Sequence, residues 1–371
     1  MREREHQTRE PSLIEVAAEA GVSTATAGRA LGGYGQVSPA TAERVRAAAA
    51  RLGYRPNGLA RSLINGSTQA IAVVVTDVGN PFFAQALRGV VDKVRTAGYE
   101  VLLFNTDSNL DAERNAVRVL LEKRVDGAII ATGSPADTEH LDSLRDARLP
   151  FVLLDRPVPD RPDVDSVMIA NAASARTAVR HLLSQGHRRI AVLTEAGREL
   201  PYVADRLSDC RTMRPSAARL AGYVLAMRSA RLDIDPALVV HAPYQREIAA
   251  RAMKKLLDAD PSVTAVFATD NVLSIGAYQA IQASGRRFPD EISMVGFDDQ
   301  EWTTVVRPQL TVVRQPSYEL GARAAGLLLR RIANGPAWDR DADDRPDPEH
   351  VELPAQLIRR SSTAPVPVPS F

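Results

Sequence analysis

Short apolar runs alternate with helical patterns over most of the chain beyond residue 70. Seven runs of four or five residues are typical of strands buried on both faces of a parallel sheet, namely IAVVV, VLLF, GAII, FVLL, IAVL, AVFA and SMVGF. Helical patterns of about a dozen residues lie between them, for example over 82–97, 112–123 and 172–185. This alternation predicts a doubly wound α/β fold. The length fits two subdomains of about 130 residues, with a ligand between them at the carboxyl ends of the strands.

The first fifty residues have a different pattern, that of three short helices. Ser12 and Glu15 form a capping box, Gly21 suits a sharp turn, and Ser23 caps a second helix over 24–31. A third helix is expected from Ser38-Pro39 to the residue before Gly53. Two helices that cross closely at a glycine predict a helix-turn-helix, whose second helix enters the major groove of DNA. A helical hairpin inside a larger core is the alternative.

Charge separates this module from the rest of the chain. Six arginines and one glutamate between residues 27 and 66 give a net charge of +5, whereas the whole chain carries +1, so the remainder carries −4. A compact basic module on a slightly acidic body predicts that only the first part binds a polyanion. The 371 residues lack a long apolar run or a signal peptide, and Cys210 has no cysteine partner, so we expect a cytoplasmic protein.

Motifs of catalytic sites are missing from the sequence. It has no Walker-type phosphate loop and no GxSxG motif, and its six histidines lack the spacing of metal ligands. We therefore predict no enzyme activity, no metal and no cofactor, although a Ser-His-Asp triad assembled by the fold stays open.

Motifs in a fixed order then identify a relationship. They include VAAEAGVSTATAGRAL, VSPATAERVRAAAARLGYRPNGLARSL, DVGNPFF, VDGAII, LLDRP, HLLSQGHRRIAVL, RLAGY and MVGFDD followed by PQLTVVRQP. The sequence resembles the LacI/GalR family of bacterial transcription repressors from Ser12 to about Arg359. The resemblance implies a homodimer that binds a palindromic operator and responds to a small molecule. A sugar-binding receptor of transport type, without DNA function, is the alternative.

The resemblance also implies which residues contact DNA. Thr24 and Ala25 match positions that face operator bases, Arg29 matches an arginine that reaches guanine, and Ser23 and Thr26 match phosphate-binding positions. On the linker, Leu63 matches a leucine that wedges into the minor groove, with Asn57 and Ala60 on the same short helix. The family usually has valine and serine where this chain has Ala27 and Gly28, so its operator preference cannot be copied.

Seven positions are implied in effector binding. Arg219 and Asp298 match effector contacts of relatives, and a guanidinium facing a carboxylate suits the paired hydroxyls of a sugar. The full set is Asp77, Asn80, Phe83, Asp155, Arg219, Asp270 and Asp298. Ordinary structural roles, such as loop caps for the carboxylates and core packing for Phe83, are the competing interpretation. Nucleosides or purines are alternatives to a sugar.

The predicted domains are a DNA-binding module (11–56), a hinge helix and linker (57–67), an effector-binding and dimerisation domain (68–361) and a disordered tail (362–371). Within the effector domain we expect a first subdomain of about 68–166 and 298–330, and a second of about 167–297 and 350–361. The segment between Gly197 and Arg219 is about ten residues longer than the family pattern. It is either part of the pocket rim or a surface insertion without a role.

Overall fold

The computed structural model describes residues 11–32, 35–54, 66–134, 137–334 and 347–366. They form two compact units. The first contains the chain up to residue 70 together with 124–126, and the second contains 71–123 and 127–371.

The described part of the first unit contains three helices, namely α1 (Leu13–Ala20), α2 (Thr24–Gly32) and α3 (Pro39–Leu52). The capping box is present, because Ser12 Oγ accepts from Glu15 N at 3.4 Å while the Glu15 carboxylate accepts from Ser12 N at 2.6 Å. Gly21 and Gly53 end their helices with φ of 63° and 67°, a conformation that glycine adopts without strain. The helix signals in the sequence are therefore confirmed.

The described part of the second unit contains two sheets whose strand pairs are mainly parallel. The first sheet has the strand order β2-β1-β3-β4-β5-β11, and its pairs β1–β3, β3–β4, β4–β5 and β5–β11 are parallel. Its strands are β1 (Ala70–Val75), β2 (Glu100–Asn105), β3 (Gly127–Ile130), β4 (Phe151–Leu154), β5 (Ser166–Ile169) and β11 (His350–Leu353).

The second sheet repeats this topology. Its order is β7-β6-β8-β9-β10-β12, parallel except for the last pair. Its strands are β6 (Ile190–Thr194), β7 (Val239–His241), β8 (Ala265–Ala268), β9 (Ser293–Phe297), β10 (Thr311–Arg314) and β12 (Gln356–Ile358). The doubly wound fold predicted from the sequence is thus present twice.

Helices flank the sheets. In chain order they are α4 (Pro81–Arg95), α5 (Leu110–Glu122), α6 (Asp142–Asp146), α7 (Asn171–Ser184), α8 (Leu200–Asp205), α9 (Pro215–Ser229), α10 (Arg246–Ala259), α11 (Asn271–Ala283), α12 (Trp302–Val305) and α13 (Ser317–Ala333). Helices α7 and α9 pack on one face of the second sheet, and α10 and α11 on the other. In the first sheet α4 crosses α13 so closely that a Cβ at Gly321 would lie 1.8 Å from the Ala86 carbonyl oxygen.

The predicted boundaries between the subdomains are wrong in three places. Strand β5 pairs with β4, so the first subdomain extends to residue 169. Strand β10 pairs with β9 and belongs to the second subdomain, whereas β11 pairs with β5 and belongs to the first. The chain therefore crosses between subdomains before α7, before α13 and between β11 and β12. Short strands such as SVMI and TVVR gave too weak an apolar pattern to reveal this.

The predicted disordered tail is also wrong for residues 362–366. Ser362 is fully buried, and its hydroxyl accepts from Thr311 N at 2.8 Å and donates to Met294 O at 2.7 Å. Val366 N donates to Gln185 O at 2.9 Å. The proline-rich composition suggested disorder, but hydrogen bonds to β9, to β10 and to the residue after α7 fix this segment. Residues 367–371 lie outside the described part of the chain.

Candidate DNA-binding module and effector cleft

The start of α2 presents the residues predicted to meet DNA. Thr24, Ala25 and Arg29 are exposed, and Arg29 Nε donates to Ala25 O at 3.3 Å. Ser23 caps the helix by accepting from Thr26 N at 3.2 Å, and the two hydroxyls lie 2.9 Å apart. Ala27 is fully buried in the small core of the module, so that position packs and does not contact DNA. The predicted hinge residues Asn57, Ala60 and Leu63 lie outside the described residues.

A cleft of about 420 Å³ lies between the two subdomains of the second unit. Its lining residues follow the carboxyl ends of strands in both sheets, for instance Asp155 after β4 and Asp298 after β9, as the strand order predicts for a doubly wound fold. All seven residues predicted to bind the effector line this cleft, namely Asp77, Asn80, Phe83, Asp155, Arg219, Asp270 and Asp298.

Arg219 is the most constrained side chain of the cleft. It projects from α9 and is only 7% exposed. Its guanidinium donates to Asn171 Oδ1 at 2.8 Å and to Thr269 O at 2.8 Å, and its carbon Cζ lies 3.9 Å from the centroid of the Phe297 ring. Its Nη2 also donates to Gln315 Oε1 at 3.3 Å. Hydrogen bonds in three directions and the stacked Phe297 ring therefore hold the guanidinium in one orientation.

Asp155 and Asp298 occupy equivalent places in the two sheets. Each follows the fourth strand of its sheet, with φ of 63° and 70°, and each amide donates at 2.9 Å to the fifth strand, to Val167 O and Val313 O respectively. Asp298 accepts from Gln315 Nε2 at 2.5 Å and from Asn271 N at 3.2 Å. Asp155 differs, because its Oδ1 is buried and has no hydrogen-bond partner among the described residues.

The remaining predicted residues combine structural and cleft positions. Asp270 Oδ1 caps α11 by accepting from Leu273 N at 2.9 Å, and Asp77 Oδ1 accepts from Gly79 N at 2.8 Å. Phe83 is 4% exposed and belongs to the core of the first subdomain as well as to the cleft wall. These residues therefore have the structural roles of caps and core packing, and they also line the cleft.

A hydrogen bond between described residues crosses the cleft. Asn80 Nδ2, in the first subdomain, donates to Tyr244 Oη, in the second, at 3.0 Å. Tyr244 follows β7, a three-residue strand too short to predict from its sequence VVH, and this residue was missed. Its pKa is raised, first by burial and then by the carboxylates of Asp270 and Asp298, so the phenol stays protonated.

Carboxylates outnumber guanidinium groups in the cleft. Burial raises the pKa of Asp155 and of Asp298, and raises that of Asp270 to about 7. Arg219 opposes each of these shifts, since its charge stabilises the ionised form of all three. Sequence reasoning missed four further charged residues of the lining, namely Asp107, Arg156, Glu195 and Arg214. The first three follow the carboxyl ends of β2, β4 and β6, a position that could have indicated them.

The long segment before Arg219 reaches the cleft. It contains α8 and two short 3-10 turns, 197–199 and 207–209. Arg214, near its end, lines the cleft and is ion-paired with Glu195 and Glu199. Burial raises the pKa of the Cys210 thiol, which keeps it in the less reactive protonated form.

Comparison with known proteins connects both units to one family. Residues 12–57 match the model of bacterial regulatory proteins of the lacI family, and residues 179–363 match a periplasmic binding protein-like domain. Catabolite control protein A of Priestia megaterium is 32% identical over 352 residues, covering 95% of this chain and 99% of the relative. The chain belongs to the LacI family. It is a DNA-binding transcriptional regulator, and the alternative of a transport receptor without DNA function is not supported.

Solved structures of LacI-family regulators agree with this assignment. The complex of the transcriptional regulator CelR with cellobiose has a TM-score of 0.68 at 30% identity, over 95% of this chain and 99% of that one. The Lac repressor dimer bound to operator and the anti-inducer ONPF has a TM-score of 0.78 at 25% identity, over 96% and 100%. Among the described residues, no helix has the length and apolar character needed to span a bilayer.

Proposed function

We propose that this regulator binds a palindromic operator as a homodimer and that a neutral sugar in the cleft controls its affinity for DNA. The arrangement of Arg219 with Asp155, Asp270 and Asp298 around one cleft is the observation that carries the proposal. Sugar hydroxyls both donate and accept hydrogen bonds, so carboxylates and a fixed guanidinium can bind neighbouring hydroxyls in pairs. The CelR structure, a relative of similar length, contains cellobiose.

The charge of the lining favours an uncharged sugar over a sugar phosphate. Six acidic residues line the cleft, namely Asp77, Asp107, Asp155, Glu195, Asp270 and Asp298, against three arginines, Arg156, Arg214 and Arg219. Arg214 is already paired with two glutamates, and Arg219 balances the carboxylates near it. A phosphate would add negative charge to this surplus, whereas a neutral sugar adds none.

The cross-cleft hydrogen bond gives ligand and DNA a means of coupling. A sugar that takes over the partners Asn80 and Tyr244 changes the contact between the subdomains, and it thereby favours one subdomain arrangement over another. If the two arrangements differ in affinity for DNA, ligand and operator must affect each other reciprocally. The same residues serve no chemical step in this account, and we propose that the protein is not an enzyme and acts in the cytoplasm.

The exposed edge of the first sheet supports a homodimer. Strand β2 lies at the edge, and Leu102 and Leu103 are 37% and 41% exposed. Uncovered apolar side chains on an edge strand favour a protein interface. Two DNA-binding modules related by a two-fold axis then read a palindrome.

A thermal-shift screen tests the proposal. The panel contains glucose, cellobiose and ribose, the phosphate ester of each monosaccharide, and adenosine. A ligand at 100 times its dissociation constant adds about 2.7 kcal/mol, which raises Tm by a few degrees. We expect a neutral sugar to raise Tm and its phosphate ester to have a smaller effect. A shift with adenosine alone, or a larger shift with the ester, would contradict the sugar assignment.

A further inference from the structure

A second cavity of about 280 Å³ lies behind the effector cleft, and we call it the back cavity. Its wall in the first subdomain comes from β4, β5 and β11, for example Leu153, Met168 and Val351. Its wall in the second subdomain comes from the start of α7 and from residues 210–213 of the long segment before Arg219. The cavity thus depends on a part of this chain that exceeds the family pattern.

The wall of the back cavity is mainly apolar. Proline, valine, leucine, isoleucine, methionine and alanine side chains form most of it, in contrast to the charged effector cleft. The charged side chains at its edge are engaged, since Arg161 is paired with Asp142, and Arg211 Nε lies 3.4 Å from Glu352 Oε2. An occupant therefore meets a carbon surface with no unbalanced charge, which selects an uncharged and mainly apolar molecule.

Asp155 supplies the polar exception. It is 6% exposed and lines both the back cavity and the effector cleft, and its Oδ1 lacks a hydrogen-bond partner among the described residues. Buried carboxylate oxygens are almost always hydrogen-bonded, so a donor from a ligand would complete this site. A hydroxyl is an uncharged group that donates such a bond.

We propose that the back cavity is a second small-molecule site, which binds an uncharged apolar molecule bearing one hydroxyl, with that hydroxyl directed at Asp155. An apolar cavity of about 150 Å³ accommodates benzene, so the back cavity has room for a larger aromatic or alicyclic alcohol. This site shares Asp155 with the proposed sugar site, but it does not depend on which effector the cleft binds.

A ligand in the back cavity is coupled to the effector cleft through the side chains that lie between the two cavities. Asn171 lines the back cavity, and its Oδ1 accepts from Arg219 Nε at 2.8 Å, on the cleft side. Because both subdomains contribute walls, an occupant also favours the arrangement in which the walls fit it. Binding in the two sites is therefore linked, and each ligand changes the affinity of the other by the same factor.

Cys210 makes the test direct. It is the one cysteine of the sequence, it lines the back cavity, and it is half-buried, so a maleimide reports on that cavity alone. The rate of labelling is measured by mass spectrometry of the full chain against increasing benzyl alcohol or toluene. We expect benzyl alcohol to slow labelling with a saturable dependence and toluene to bind at least threefold more weakly.

Two matched variants control the experiment. Ala172→Phe places a ring in the back cavity from a half-buried position of α7, whereas Ala173→Phe adds the same ring at the next, exposed position. We expect benzyl alcohol to protect Cys210 at least tenfold more weakly in Ala172→Phe than in wild type, and to protect it equally well in Ala173→Phe. Met168→Trp, from the opposite wall, replaces Ala172→Phe if that variant fails to fold. If benzyl alcohol does not change the rate of Cys210 labelling, or slows it equally in the Ala172→Phe and Ala173→Phe variants, the proposed site is wrong. If toluene binds as tightly as benzyl alcohol, the proposed role of Asp155 is wrong.

Discussion

Replacing Asp270 by asparagine should stabilise the protein at neutral and alkaline pH. Asp270 caps α11 through Leu273 N, and asparagine keeps an oxygen that can accept the same bond, so the cap survives the change. What the substitution removes is the charge. Burial raises the pKa of Asp270 from 3.8 to about 7, and the nearby carboxylates of Asp298 and Glu195 add to the shift.

The sign and size of the effect follow from that shift. Between about pH 4 and pH 7 the folded protein holds a proton on Asp270 that the unfolded chain has released, so stability falls as the pH rises through this window. A shift of about three units corresponds to roughly 4 kcal/mol. Because the side chain is half-buried and faces a cleft, screening by solvent reduces this to about 2 kcal/mol.

Urea unfolding of wild type and Asp270→Asn at several pH values measures the effect. We expect the advantage of the variant to grow from pH 5 to pH 7 and to stay at about 2 kcal/mol above pH 7. Asp233→Asn is the control, because Asp233 is exposed and its replacement should give no such trend. A variant whose advantage does not change with pH, or that is less stable than wild type at pH 8, would refute the reasoning.

Three further predictions concern other parts of the chain. Arg29→Ala should weaken operator binding by about 1–3 kcal/mol, the contribution of one arginine–guanine pair, and should leave ligand affinity unchanged. Fluorescence anisotropy of labelled DNA measures the operator affinity, and an unaltered value would show that Arg29 does not contact DNA. Leu63→Ala should sharply reduce operator affinity in the same assay and leave ligand binding nearly intact, and full operator affinity would show that the hinge assignment is wrong. Ser362→Ala should lower the free energy of unfolding, measured in urea, by about 1–3 kcal/mol, because Thr311 N and Met294 O then lose their buried hydrogen-bond partner. A loss well below about 1 kcal/mol would contradict the conclusion that this segment is ordered.

The sequence predicts much of the fold because its signals are local. Capping residues such as Ser12 and Ser38 lie next to the helices they begin, and the seven apolar runs all correspond to strands. Strands β5 and β10 were assigned to no sheet, or to the wrong one, because pairing between distant segments leaves little trace in a four-residue pattern. Ordered residues near the carboxyl end were missed for the same reason.

Some residues of the cleft could also be predicted from the sequence, and others could not. The seven residues taken from the family resemblance all line it, since motifs such as LLDRP and GFDD fix the strand ends. Tyr244 and Arg214 were missed because they belong to a weak strand and to the long segment, where no motif guides the assignment. The two doubly wound subdomains predicted from the sequence are confirmed, and Asp155 and Asp298 follow the same strand of two equivalent sheets.

Operator binding with and without a sugar tests the central claim most directly. Anisotropy of a labelled operator, selected from random DNA, is measured for wild type, Arg219→Ala and Arg228→Ala in the presence of the sugar found by thermal shift. Arg228 lies on the same helix as Arg219 but does not line the cleft, so its variant is the matched control. We predict that the sugar changes the operator affinity of wild type and Arg228→Ala, and that Arg219→Ala binds DNA without responding to it. A sugar response that persists in Arg219→Ala would contradict the assignment of the cleft as the effector site.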